Sequence, residues 1–427
     1  MRVIADLHIH SKYSRATSQN MNITEISRFA KIKGLKLVGT GDFTHPKWFS
    51  ELSNELTEVS GTSLYSSKKS PDSPVRYMIT AEVCTIYNVD EKAKKIHHVV
   101  FTPSLETAAQ ISDRLKKYGD LAADGRPILD MTSPQLVEEV MQVSDQNEVI
   151  PAHVWTPWFS LFGAFSGFDT VEDCYQDMTR HIHALETGLS SDPPMNWRLS
   201  NLDRFTLVSN SDCHSHWPWR IGREANVFEL EQLTYMEVVD AIRKKDSDRF
   251  KFTIETNPAY GKYHWTGHRN CNVSLPPQEA IKYGNRCPVC GRKLTRGVEQ
   301  RIEELADRPA DYKPENPIGY KLLLPLHEII KAVLDVSYQG AKTVWSIYTP
   351  LVKKFGDEYT VLIDASKEEM SKVVDSRIAE AIVRVREEKA RVIPGYDGVY
   401  GQLEIFNEKQ EAAQPTKPSQ KSMFDFM

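Results

Sequence analysis

Seven short apolar runs in the first half of the chain each lead into a histidine or a carboxylate, and this recurrence narrows the folds open to it. Val3-Ile4-Ala5 runs into His8, Leu35 to Val38 into Asp42, and Tyr77-Met78-Ile79 into Glu82. Ile96 to Phe101 contains His97 and His98, Val149-Ile150 leads to His153, His183-Ala184-Leu185 to Glu186, and Phe205 to Val208 to Asp212 and His214. Amphipathic stretches lie between the runs. One opens at Asn22, with Glu25 three residues on as a capping box, places Ile23, Ile26, Phe29 and Ala30 on one face, and stops at Gly34. Further helices are expected over 104–118, 133–143 and 234–245. Alternating strand and helix patterns predict an α/β fold with parallel strands. In (β/α) barrels the active site is built where loops converge at the C-terminal strand ends, which is where these runs place their polar residues.

Within the first run, alternation puts His8 and His10 on one side of the pleat. Taken alone, the pair suits a metal ion and a pair of neutral strand-end histidines equally well. Six further runs of the same kind tip the reading to metal. Asp6 is expected either to orient one of these histidines or to serve as a structural strand-end acceptor.

At 427 residues the chain exceeds one compact core, with a length suited to roughly three domains. Hydrophobic residues at 40% and charged residues at 26% are those of an ordinary globular protein. No apolar run approaches the roughly 20 residues that cross a bilayer, and the N-terminus lacks a signal-peptide pattern, so no membrane association and a cytoplasmic location are expected. A net charge of -5 gives no global signature of nucleic-acid binding, but residues 262–301 alone carry +6. A mildly acidic body thus bears one basic module.

That module holds His268-x-x-Cys271 and, after fifteen residues, Cys287-Pro-Val-Cys290-Gly291-Arg292. Paired two-residue spacings with a glycine-closed knuckle predict a tetrahedral structural zinc on His268, Cys271, Cys287 and Cys290, with His264 as the alternative fourth ligand. Arg269, Lys282, Arg286, Arg292, Lys293 and Arg296 surround the knuckle and could contact phosphates, unless they form a merely solvated basic face. After a proline-rich connector at 308–317, Leu326 to Val336, Ala341 to Phe355 and Lys367 to Arg391 read as helices, the last long. From Glu408 the composition is that of a disordered tail.

The strand-end set resembles the polymerase and histidinol phosphatase (PHP) family of metal-dependent phosphoesterases. The family's His-x-His is matched by His8 and His10, and its Ser-Asp-x-His by Ser211-Asp212-Cys213-His214. Asp42 stands where the family has Thr-Asp-His, Glu82 at its bridging glutamate, His98 at its next histidine, and His153 and Glu186 at further ligand positions. Phe43 replaces the histidine of Thr-Asp-His, with His45 two residues on, and Arg15 stands near a position that is often acidic. The resemblance implies a distorted (β/α)7 barrel holding two or three divalent ions (Zn, Mn or Mg) on His8, His10, Glu82, His98, His153, Asp212 and His214, with Asp42 and Glu186 as further ligands. Ions about 3.5–4 Å apart would activate water and stabilise both oxygens of a displacement at phosphorus.

The resulting order is a PHP domain over 1–257, a zinc module over 258–301, a helical domain over 302–407 that contains Ile393-Pro394-Gly395-Tyr396-Asp397-Gly398-Val399-Tyr400-Gly401, and a tail over 408–427. The tail's Gln420, Met423, Phe426 and Met427 resemble the box that binds the sliding clamp, PCNA. This order resembles the endonuclease Q family. What that implies is an archaeal, monomeric DNA repair enzyme that nicks double-stranded DNA 5′ of uracil, hypoxanthine or xanthine. Trp155, Trp158 and Trp217 are then candidates for stacking an extruded base, while Arg15, Arg220 and Arg223 join Arg269, Arg286, Arg292 and Lys293 as DNA contacts. Two other functions are open to such a chain: a small-molecule phosphatase resembling histidinol phosphatase, and a non-catalytic clamp-associated scaffold.

Overall fold

The computed structural model describes residues 1–406, so the clamp-like motif of Gln420, Met423, Phe426 and Met427 lies outside the described residues. The first strand, Arg2–Asp6, carries the apolar Val3, Ile4 and Ala5, is buried from Val3 on, and sits mid-sheet. It pairs in parallel with Leu37–Gly39, which pairs in parallel with Arg76–Val89. On its other side it pairs antiparallel with Ala225–Glu229, and that strand antiparallel with Phe250–Glu255. The expectation of parallel strands therefore holds only in part, and the sheet is mixed.

One reason lies at Asp90 and Glu91, whose φ values of 47° and 63° make a two-residue hairpin turn. That turn sends Arg76–Val89 directly back as Lys92–Thr102, which pairs antiparallel with Glu148–Pro151. Glu82 consequently lies within a 14-residue strand rather than at the end of a short one. Ala184–Glu186 and Thr206–Val208 form a separate parallel pair.

Helix Ile23–Lys33 begins where expected. Asn22 accepts from the Glu25 amide, which is half of the expected capping box, and Gly34 at φ +100° closes the helix with bonds to Ala30 and Lys31. Its apolar stripe is buried, and so is Lys33 at its end. The Lys33 Nζ donates to Glu358 Oε1 at 2.7 Å and to the Pro218 carbonyl at 2.9 Å. Glu358 also accepts from the Leu326 amide and the Tyr348 hydroxyl. A buried ion pair thus fixes the segment after residue 325 to the N-terminal part, beside the bond from the Tyr359 hydroxyl to Gly222. Lys33→Met would strand the Glu358 charge and is expected to cost about 3–5 kcal/mol in chemical denaturation, part of which Lys33→Met with Glu358→Gln recovers.

Leu326–Leu334 and Lys342–Phe355 are helical as expected. The long helix expected over 367–391 is instead two, Lys367–Met370 and Ser376–Arg386. Ser366 caps the first, and the Asp375 carboxylate turns back to the Arg377 amide to start the second, so the chain restarts there. Beyond it, Arg391–Ile393 pairs with Gln402–Glu404.

The loop between these last strands packs on the cysteine-bearing segment. Trp265 N donates to the Gly395 carbonyl at 2.9 Å, Asp397 accepts from the Arg269 amide and the Thr295 hydroxyl, and the Tyr396 hydroxyl donates to Asn272. Among the described residues, no helix is long and apolar enough to cross a membrane.

Candidate metal centre

The centre is built around Glu82, whose carboxylate is fully buried in mid-strand. Its Oε2 lies 3.1 Å from His10 Nε2 and 3.5 Å from His8 Nε2, and Asp212 Oδ1 is 3.0 Å from the same His10 nitrogen. Its Oε1 lies 2.7 Å from His97 Nδ1 and 3.2 Å from His153 Nε2. His8, His10, Glu82 and Asp212 thus form one ligand group, and Glu82, His97 and His153 a second. One carboxylate shared by two groups of imidazoles is what a pair of bridged cations requires. His8 Nε2 is buried with no hydrogen-bond partner, as fits a nitrogen kept for a metal.

The imidazoles are aimed by their other nitrogens. His8 Nδ1 donates to both Glu186 oxygens at 3.0 Å, and His10 Nδ1 donates to Asp42 Oδ1 at 2.9 Å. Glu186 also accepts from the His153 amide and Asn210, and Asp42 from the Ser11 amide and the Ser11 and Ser14 hydroxyls. Asp42 and Glu186, expected as ligands, belong to neither ligand group. Their hydrogen bonds occupy them as carboxylates that orient histidines. Asp6, weighed for that role, accepts from the Ser211 and Gly222 amides, the structural role also expected for it.

Charge follows from this crowding. Burial pushes the His8 and His10 imidazoles down, yet Glu186 and Glu82 beside the one, and Asp42 and Asp212 beside the other, hold both well above the ordinary range. Burial pushes Glu82 up, but His97, Arg126 and His8 hold it well below the usual carboxylate value. Asp42, His153 and Asp212 all have positive φ, at 50°, 30° and 46°. Non-glycine residues in that region cluster at functional sites, where surrounding structure enforces the strain.

The structure corrects one histidine. Glu82 stands opposite Val99 across the hairpin, so His97 shares its face and His98 points to the other side. His98 lies 2.8 Å from the Tyr175 hydroxyl and 3.0 Å from the Thr85 hydroxyl, and burial there brings it down to about 3. Both of its nitrogens are engaged away from the centre. His97→Ala is expected to remove one of the ions bound at the Glu82 centre by elemental analysis, while His98→Ala leaves the metal content unchanged and loses about 1–3 kcal/mol of stability.

His214 stands at the rim, its ring 4.5 Å from that of His10 and its Nδ1 3.1 Å from the Asp212 carbonyl, and it belongs to neither group. His45 stacks on Tyr13 with ring centroids 4.5 Å apart and is likewise outside both groups. Arg126, which the sequence reading missed, places Nη1 3.3 Å from Glu82 Oε2. Arg15 does not reach the centre, for its side chain is 88% exposed and its Nε is 4.0 Å from Asp124.

A cavity of about 470 Å³ adjoins the second group, with His97, His153 and Asp212 facing Trp158, Phe159, Tyr263 and Tyr400. Of the expected stacking residues only Trp158 lines it. Trp155 is core, its Nε1 donating to Asn196, because that side chain turns inward after His153. Trp217 stacks on Trp219 at 5.1 Å and faces a different groove with Trp345. Arg223 spends its Nε and Nη2 on the Ser211 carbonyl, bracing the turn that carries Asp212, while Arg220 lines a small cavity beside it.

Some distance along the chain, His268, Cys271, Cys287 and Cys290 converge as a third group. A short hairpin, Thr266–His268 with Val273–Leu275, brings up the first pair, and Gly291 at φ +72° closes the knuckle through its bond to Cys287. Burial pushes the Cys287 thiol up, but the Cys290 and Val289 amides, with His268, bring it down to about 6, toward the thiolate that zinc needs. His264 faces the 470 Å³ cavity and Glu299 instead. Arg269, Arg286, Arg292 and Lys293 are all exposed.

With this geometry in view, comparison with known proteins is informative. The family described as MJ0043 C-terminal domain matches residues 325–389. An uncharacterised protein, MJ0043 of Methanocaldococcus jannaschii, is 34% identical over 259 residues, which is 60% of this chain and 32% of that protein, so the match spans about a third of that relative's length. The uncharacterised protein YqxK of Bacillus subtilis is 28% identical over 94% of this chain and 99% of its own. The crystal structure of the lesion-specific endonuclease PfuEndoQ from Pyrococcus furiosus is similar with a TM-score of 0.86 and 33% identity, over 97% of this chain and 98% of that one. A structure of endonuclease Q in complex with a 27-mer duplex substrate, with an abasic lesion at the active site, gives a TM-score of 0.84 and 34% identity over 96% and 98%. Likeness of that identity over nearly the whole of both chains shows that this protein belongs to the endonuclease Q family.

Proposed function

We propose that this chain is a metal-dependent endodeoxyribonuclease that nicks duplex DNA on the 5′ side of a lesion, the lesions being deaminated bases such as uracil, hypoxanthine and xanthine. The observation that carries the reading is Glu82, one carboxylate shared by two groups of potential ligands. Its membership of a family with a lesion-specific endonuclease, and with a member seen on duplex DNA, supports it.

In this reading His8, His10, Glu82 and Asp212 hold one divalent ion, and Glu82, His97 and His153 hold another. Zinc or manganese suits these mixed imidazole and carboxylate donors better than magnesium. Bound there, such ions supply an activated water and charge stabilisation at phosphorus. The chain's own part is positional. Glu186 and Asp42 keep the Nε2 atoms of His8 and His10 turned inward, and His214 is the candidate for a contact at the rim. A damaged nucleotide turned out of the duplex enters the cavity between Trp158, Phe159 and Tyr263, where stacking contributes about 1–3 kcal/mol per base.

The wider organisation is part of the same reading. The first 257 residues act as a distorted (β/α)7 barrel of the PHP type, and the helices after residue 325 as a C-terminal helical region. The group of His268, Cys271, Cys287 and Cys290 holds a structural zinc, from which Arg269, Arg286, Arg292 and Lys293 reach DNA phosphates. The tail after residue 407 binds the sliding clamp.

The test is a panel of duplexes, each with one altered base, incubated with magnesium or manganese and mapped for the nick. The expected result is one break 5′ of uracil, hypoxanthine or xanthine, with 3′-hydroxyl and 5′-phosphate ends. Cleavage indifferent to the base reduces the proposal to a general nuclease. Faster hydrolysis of a soluble phosphomonoester overturns it.

A further inference from the structure

Beside the two ligand groups stands a permanent cation that neither group needs. Arg126 belongs to the segment before Ile128–Leu129, a segment pinned on three sides. The Arg126 amide donates to Asp124 Oδ1 at 3.1 Å, the Pro127 carbonyl accepts from Cys84 N at 2.9 Å, and Gly125 N donates to the Tyr13 carbonyl at 3.1 Å. Gly125 passes so close to the centre that a Cβ there would lie 2.4 Å from Asp42 Oδ2 and Ser14 Oγ. The backbone is therefore fixed where the guanidinium must enter the centre.

Arg126 Nη1 lies 3.3 Å from Glu82 Oε2, the oxygen that also faces His8 and His10. Unlike Glu82, which is fully buried, its side chain is 24% exposed, so the guanidinium faces both the ligands and solvent. Among the described residues, that bond is the only one its side chain makes to the protein, and an arginine carries five N–H donors in a planar fork. Glu82 alone offsets only part of the repulsion between this guanidinium and two divalent cations, and a further anion at its unused donors would offset more. A phosphodiester supplies that anion, and its oxygens match the fork.

We propose that Arg126 is a catalytic residue whose guanidinium grips a non-bridging oxygen of the scissile phosphodiester, doing with a fixed charge what a third metal ion would do there. This rests on the phosphodiesterase reading above. It also relocates the role that the sequence suggests for Arg15: the two arginines share Asp124 Oδ1 as a backbone anchor, but only Arg126 points inward.

The test compares wild type with Arg126→Met and Arg126→Lys, each loaded with manganese. Calorimetry with inorganic phosphate is expected to show affinity about tenfold or more weaker in Arg126→Met, with bound manganese per chain unchanged. Single-turnover nicking falls by about 10²–10³-fold, as for loss of one preorganised donor, and the salt slope of DNA binding drops by about one. Arg126→Lys keeps the charge but loses the fork, so it nicks at least about tenfold slower than wild type, and it carries the test if Arg126→Met does not fold. Unchanged phosphate affinity and nicking in the variants would overturn the proposal. So would loss of manganese from them, which would make Arg126 an organiser of Glu82. If wild type nicks no duplex while its phosphate affinity still depends on Arg126, the DNA reading fails and this inference stands.

Discussion

Glu82→Gln is expected to lower single-turnover nicking by about three orders of magnitude or more, and to reduce metal bound at the Glu82 centre to at most one ion, beyond any zinc held by the cysteine group. The side chain keeps its shape, but a neutral amide cannot bridge two cations, and bridging charge stabilisation is worth several kcal/mol at about 1.4 kcal/mol per tenfold. The loss falls on both groups at once, because His10 faces Oε2 while His97 and His153 face Oε1. Elemental analysis and single-turnover kinetics on one preparation check it. Two ions retained at the Glu82 centre with a rate within tenfold of wild type would refute the bridging role.

The second large effect is expected at the cysteine group. Cys287→Ser, or removal of zinc by a strong chelator, should unfold the module around residues 262–301. Its own apolar core among the described residues is only Val273, Ala280, Cys287 and Leu294, far too small to hold a domain together. A structural zinc supplies about 10–16 kcal/mol of apparent binding energy, so in the proposed reading the metal would take the place of a core. Proteolysis near the knuckle should appear, zinc content should fall by one, and DNA affinity should drop by about tenfold or more with a shallower salt slope. Manganese binding at the Glu82 centre should be retained. A chelator-treated protein with intact knuckle and unchanged DNA affinity would show that zinc does not hold this module.

Much of the centre is legible in the sequence because strand periodicity and ligand chemistry are local properties. His8, His10, His153 and Asp212 follow from where apolar runs stop, Glu82 from a run that in fact continues past it, and the cysteine group from spacing alone. What is not legible depends on pairing. Choosing His97 over His98 needs the register across the Asp90-Glu91 turn, since a shift of one residue exchanges the faces. That register was available in principle, for two turn residues between β-rich runs mark a hairpin. Arg126 gives no local signal, because its role depends on a loop held by Tyr13 and Cys84 from distant parts of the chain. Asp42 and Glu186 have the right residue type and position for ligands, and only their hydrogen bonds to His10 and His8 reveal another use. Trp155 and Trp217 show the same limit, since aromatic side chains near a site serve the core as readily as a ligand.

The return of Ile393–Gly401 to the cysteine module bears on the order in which the chain can assemble. Arg269 and Asp397, joined by a hydrogen bond, are 128 residues apart. The hairpin and the knuckle are complete within forty residues, but their outer wall comes from a segment more than a hundred residues further on. Closing so long a loop is an entropic step that local folding cannot hasten. During synthesis the Glu82 centre can therefore form first, while the module waits half built. Tyr400, part of the same returning segment, lines the cavity beside His97 and His153. The cavity thus takes one wall from a segment more than two hundred residues beyond His153, so its shape depends on the same long-range closure as the module.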